Sequence, residues 1–127
     1  MTMVLVDSSV WVQHFRKGLG GLVALLNNDR VLCHPLIVLE LSCGSPPAPR
    51  KRTLQYLSAL QTASIATIDE TINFIELNKL YDCGCGAVDM ALLASTLLTK
   101  DAELWTLDKK LEALAKKLKV SYRPSLH

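Results

Sequence analysis

Four acidic residues stand where an acid is expensive to place. Asp7 closes the apolar run MVLVD, Glu40 lies inside LIVLEL, Asp89 opens the apolar stretch DMALLAS and Asp108 closes ELWTLD. A single acid near a helix start is ordinarily a cap or a dipole complement worth ~0.5–2 kcal/mol, and Asp89 and Asp108 each admit that reading. Glu40, with Leu36, Ile37, Leu39 and Leu41 around it on a helical wheel, is either paired with a basic group or bound to a metal. Four carboxylates in apolar company are costly to desolvate unless a cation joins them. Oxygen ligands without histidine or cysteine select Mg²⁺, with Mn²⁺ as the alternative. Such ions bind phosphate oxygens, lower the pKa of a bound water and, in pairs roughly 3.5–4 Å apart, clamp an in-line phosphoryl displacement. Hydrolysis of a phosphodiester is the chemistry that this set implies.

The elements that must position these acids read as an alternation. Residues 3–6 form a continuous apolar run of the kind buried on both faces of a sheet, and Ser8 or Ser9 can cap the helix expected from Val10 to about Arg16. Gly18, Gly20 and Gly21 separate it from a second helix beginning at Leu22. A short strand over 31–33 precedes a helix from Pro35, a residue suited to a first helical position, that ends at Gly44. The stiff segment Ser45-Pro46-Pro47-Ala48-Pro49 is a surface connection. Further helices are expected from Arg50 to about Thr62, after an N-cap at Asp69, over 88–98 and after Asp108. Further strands are expected over 64–68, 103–107 and 120–122. Parallel strands need crossover helices. The prediction is therefore α/β: a three-layer α/β/α arrangement around a central, mostly parallel sheet of four to five strands, in one domain spanning residues 1–127. Polar sites in such sheets collect beyond the carboxyl ends of the strands, where acids far apart in sequence can meet.

Composition narrows the alternatives. Half of the 127 residues are hydrophobic, 20% are charged and 6% aromatic, a compact globular balance. A net charge of +2 does not by itself call for a polyanionic partner. Arg50, Lys51 and Arg52 form one basic run, either solvated surface or phosphate contact, and Lys109, Lys110, Lys116, Lys117 and Lys119 read as a solvated helix face. Cys33, Cys43, Cys83 and Cys85 lack zinc-finger spacing; with no signal peptide, reduced thiols in a cytoplasmic protein fit them best. No apolar run is long enough for a membrane span. A haloacid-dehalogenase-type phosphatase wants an acid where Ser9 stands, a receiver domain wants adjacent acids at the first strand, and no GxGxxG follows that strand for a dinucleotide.

The segments VDSSVW at 6–11, PLIVLELSCG at 35–44, GCGAVDMALLAS at 84–95 and LWTLDKKLEALA at 104–115 resemble the four acidic motifs of the PIN domain, and closely those of the VapC toxins of bacterial and archaeal toxin–antitoxin pairs. The resemblance runs through essentially the whole chain in order. It implies a Mg²⁺-dependent endoribonuclease, toxic when free and silenced by a cognate VapB-like antitoxin, with Asp7 and Asp89 as the principal metal-binding acids, Glu40 as the helical acid and Asp108 as the fourth. It further implies that Ser8 or Ser9 supports the metal or its water, that Thr106 orients Asp108, and that the protein is a homodimer joining two acidic sites along one RNA-binding groove. Arg50, Lys51 or Arg52, the basic run, would position the RNA backbone, a contribution that falls with salt. Cys83 and Cys85 depart from the family pattern, whose loop before the third acid is glycine-rich without thiols. The rival expectation is a catalytically silent PIN-like domain that binds RNA or a partner protein.

Overall fold

A computed structural model describes residues 1–124. Strand β1 (Met3–Val6) is followed by α1 (Ser8–Lys17), α2 (Gly20–Asn27), β2 (Val31–Leu32), α3 (Pro35–Ser42), α4 (Arg50–Ala59), α5 (Ile68–Asn78), α6 (Ala87–Leu98), β3 (Ala102–Trp105) and α7 (Lys109–Lys117). The sheet is parallel in the order β2-β1-β3, with Leu5 opposite both Leu32 and Leu104. Since β1 is flanked on both sides and covered on both faces, Val4, Leu5 and Val6 are fully buried, which is why this segment is apolar without alternation. Because Thr62 bridges Cys33 on the outer side of β2, right-handed crossovers put α1–α2 and α3–α4 over one face and α5–α6 over the other. Trp11, Leu22, Ile37, Leu57, Leu92, Leu93 and Leu111 fill the space between helices and sheet. No helix among the described residues is long and apolar enough to cross a membrane.

The sheet has three strands, not the expected four to five. The segment over 64–68 forms no strand: Gln61, Cys33 and Ala63 exchange two backbone bonds around a single parallel bridge of Cys33 with Thr62. The chain is then captured from the side, because the Ser64 and Ala66 N–H groups donate to the hydroxyls of Thr99 and Ser95 at the end of α6. Residues 120–122 likewise make only one bridge, Leu104 with Ser121, because the Val120 N–H is already used on the Ala115 carbonyl that closes α7. The N-cap of α5 is Thr67 rather than Asp69. Thr67 and Glu70 form a reciprocal capping box, the pattern that Asp69, two positions too late, cannot make. Helix α4 stops at Ala59, short of the expected Thr62, and α1 begins at Ser8 with Asp7 in the N-cap position.

Candidate active site at the carboxyl edge of the sheet

Parallel strands end on the same edge, and β1 and β3 are neighbours, so the residues just after them meet. The Asp7 N–H donates to the Trp105 carbonyl at 2.9 Å, and Thr106, ninety-nine positions from Asp7, donates its hydroxyl to Asp7 Oδ2 at 2.7 Å. Ser9, in the first turn of α1, donates to the same oxygen at 2.7 Å. Both hydroxyl protons are thereby committed, and the oxygens in turn accept the backbone N–H of Leu107 on Ser9 and of Asp108 on Thr106. Asp7 is only 4% exposed. Among the described residues its Oδ1 has no closer donor than Ser8 at 3.5 Å, so one oxygen is fixed and the other is left over.

Helices that follow or precede strands of a parallel sheet also bring termini to this edge. Helix α3 starts here, with His34 as its cap and Pro35 at its first position, and Glu40 lies in its second turn, where Ser8 donates to Oε1 at 2.9 Å. Helix α6 runs back against β3, so its first turn carries Asp89 to the rim. There Asp89 Oδ2 accepts a long bond of 3.4 Å from Gly86 N–H. Asp108 caps α7 through Oδ1, which accepts from the N–H groups of Lys110 and Leu111 at 2.9 and 3.0 Å. Asp7, Glu40, Asp89 and Asp108 line a single open cleft of about 560 Å³ together with Ser8, Ser9, Val12, Gln13 and Arg16.

Electrostatics mark the cleft as unbalanced. Glu40 is held above its ordinary value chiefly by desolvation, against the Ser8 bond, with repulsion from Asp7 and Asp89 adding. Asp89 is likewise raised, first by desolvation and then by Asp7 and Asp108, against the Gly86 N–H. Among the described residues the ion pair within 4 Å is Arg123 with Glu112 at 3.6 Å, outside the cleft. Cys85, in the loop leading to Asp89, is pushed up to about 11 by burial first, and then by Cys83 and Asp89.

Several expectations need correction. The acids are not all buried: Asp7 is, Asp89 is half-buried, and Glu40 and Asp108 are exposed, because the cleft is open and Leu39, beside Glu40, faces outward. Glu40 is paired not with a base but with the Ser8 hydroxyl. Ser8 and Ser9 spend their hydroxyls on carboxylates rather than on capping α1, and the Thr106 hydroxyl orients the Asp7 carboxylate while accepting only the backbone of Asp108. Arg50 donates to the Gly44 and Ser42 carbonyls, pinning the loop after α3, while Lys51 and Arg52 are exposed; none of the three lines the cleft. Arg16 does, and sequence reasoning missed it. The available signal was helical spacing, since Ser9, Val12 or Gln13, and Arg16 fall on one face of α1.

The donor set suits a hard divalent ion: only oxygens, a rigid buried carboxylate with one unspent oxygen, and two raised acids lacking a basic partner. Among the described residues no three acid, histidine or cysteine side chains already stand at the spacing of a closed ligand cluster. Glu40 and Asp89, the less tightly held acids, would have to turn inward onto an ion.

No family model matches the chain. The chain is 42% identical over 111 residues to a protein named Ribonuclease VapC32 in two strains of Mycobacterium tuberculosis, H37Rv and CDC 1551, an alignment that spans 87% of this chain and 89% of that protein. Identity of this extent over 87% of the chain makes it a member of the VapC family.

Proposed function

We propose that this protein is a Mg²⁺-dependent endoribonuclease, the toxin of a VapBC-type pair, which hydrolyses RNA phosphodiester bonds and is silenced by a VapB-like antitoxin. The observation that carries the reading is the Asp7 carboxylate, fixed by Ser9 and Thr106 through one oxygen and open through the other, at the floor of a cleft whose remaining acids make no ion pair within 4 Å among the described residues. The name of the relative, a ribonuclease, supports the substrate class.

Asp7 Oδ1, Asp89 and Glu40 would hold the ion, with the uncapped oxygen of Asp108 at the rim. Bound there, Mg²⁺ supplies charge stabilisation at the phosphate and acidifies water. The chain's own residues do the rest. Ser9 and Thr106 hold Asp7 in one rotamer, which removes reorganisation cost. Ser8 positions Glu40 through Oε1, and the other carboxylate oxygen would accept a proton from the attacking water. Arg16, the cation on the cleft wall, holds a phosphate of the bound strand, a contact that weakens with salt.

A second copy of the chain is the proposed partner for the exposed Ile65, Ile68 and Ile72; light scattering of the purified protein reads the dimer directly. For the activity, the test is incubation with total cellular RNA, with Mg²⁺ and with EDTA. Cleavage that requires the ion and is lost in Asp7→Asn supports the nuclease. Equal cleavage with EDTA overturns the metal dependence, and no cleavage under any condition beside cation-independent RNA binding favours the silent domain.

A further inference from the structure

A second hollow adjoins the acid cleft. Helix α1 contributes Val12, Phe15 and Arg16 to it, at the spacing of one helical face, and the loop after α3 contributes Ser45, Pro46 and Pro47. Ser8, Val12, Arg16 and Glu40 line both cavities, so the two are continuous. The hollow measures about 660 Å³, within the roughly 300–1,000 Å³ of small-molecule sites. Its walls are set in advance. Phe15, half-buried, is backed by the buried Trp11 at 5.9 Å between ring centroids. The proline loop is held from α4, where the Thr53 hydroxyl donates to the Pro47 carbonyl at 2.8 Å and Arg50 donates to the Gly44 and Ser42 carbonyls. Among the described residues Glu40, on the shared edge, is the acid that lines the hollow, and Arg16 is the base.

We infer that this hollow is a nucleobase subsite, in which Phe15 stacks on the base of a nucleotide beside the scissile phosphate. The inference rests on the nuclease reading and narrows its substrate to RNA that is single-stranded at the cut. A strand with one phosphate at the acids and a neighbouring phosphate on Arg16 carries its next nucleoside over the edge that the two cavities share. A base inside a duplex has both faces covered and cannot enter, so the base must be splayed out, the usual state in which proteins read RNA. Every base has a π-face, so stacking on an aromatic ring tolerates all four, and the Ser45 hydroxyl is the group of the loop wall able to read a base edge. A single cation at the junction, with no acid beyond Glu40 among the described lining residues, suits a polyanion better than a basic peptide.

The test maps cut sites in total RNA, then uses short oligoribonucleotides spanning one site, with an abasic residue at each position flanking the cut in turn. For the full chain with Mg²⁺, one abasic position should raise KM roughly tenfold, the scale of losing one stacked base, and leave kcat within a few-fold. Phe15→Leu, which keeps apolar bulk against Trp11 and removes the ring, should raise KM for intact RNA by a similar factor. Combining it with the abasic residue should cost nothing further, and Phe15→Trp should restore the intact substrate. Gly44→Leu tests the hollow without removing a core contact, because an added Cβ there meets nothing nearer than the Leu41 carbonyl at 3.8 Å; it too should raise KM. Abasic residues without effect at every flanking position, additive losses in the combined change, or a fall in kcat alone overturns the inference. So does a Phe15→Leu protein that loses only its grip on a VapB-like antitoxin. If no RNA is cut, the nuclease reading fails, and photo-cross-linking of a 4-thiouridine oligonucleotide decides the subsite separately: adducts on the peptide containing Phe15 or on residues 45–47 support it, and adducts confined to other surfaces overturn it.

Discussion

The two walls of the cleft are built differently. On the strand side, Asp7 is buried and receives two hydroxyls at 2.7 Å, and those hydroxyls are themselves locked by backbone N–H groups of the segment after β3. On the helix side, Glu40 has one hydroxyl from Ser8 and Asp89 one backbone contact at 3.4 Å, and both acids are pushed toward their neutral forms. The difference shows a division of labour: the sheet edge supplies a fixed reference oxygen, and the helices supply acids that settle only when charge arrives. Fixing every carboxylate in advance would leave uncompensated like charges together, at a cost of several kcal/mol.

That division can be broken at its strongest point first. Asp7→Asn should lower RNA cleavage by roughly three orders of magnitude, the several kcal/mol that charge stabilisation supplies, while circular dichroism stays native. Thr106→Val, which frees the Asp7 carboxylate and strands the Asp108 N–H, should cost about ten- to a hundredfold in activity and ~1–3 kcal/mol in urea unfolding. Ser8→Ala on the opposite wall should cost only a few-fold; equal losses from the two variants would mean that the walls do not differ.

Two titrations sharpen the comparison further. Glu40 and Asp89 bind protons more tightly in the folded state, so their stability contribution is full below the ordinary values of 4.5 and 3.8 and is lost as pH rises through the raised folded values. Without divalent ion, thermal unfolding should therefore move upward as pH falls toward that range, and both Glu40→Gln and saturating Mg²⁺ should flatten the trend. His34 acts with the opposite sign. Its Nδ1 accepts the Leu36 N–H and its Nε2 meets Ser95, and burial lowers its pKa from 6.5, so its contribution is intact above 6.5 and lost as pH falls through the lowered value. His34→Asn, which keeps a capping oxygen for α3 without a titrating ring, should remove that loss and leave the acid trend visible. This is the smallest effect, read by pH-dependent thermal melts.

Much of this architecture was legible in local patterns. The MVLV run announced the central strand, Pro35 the start of α3, and the glycines of 84 and 86 the break before α6, because each depends on neighbours within a few positions. The helical face that carries Arg16 was equally local, and was overlooked because the acids drew the reading. Two strands expected over 64–68 and 120–122 failed for a reason that no window of sequence contains: hydroxyls of Ser95 and Thr99 and the carbonyl of Ala115 took the donors that a ladder requires.

Chain order and residue type alone determined that four acids would follow or precede strands, and hence that a shared rim was available to them. Only folding decided what each acid does there: Thr106 serves Asp7 rather than Asp108, Asp108 gives one oxygen to a helix, and Ser8 reaches Glu40 across thirty-two positions. Hydrogen bonds of this kind join groups whose separation along the chain carries no information about their distance in space, so their partners are set by how strands align and helices pack.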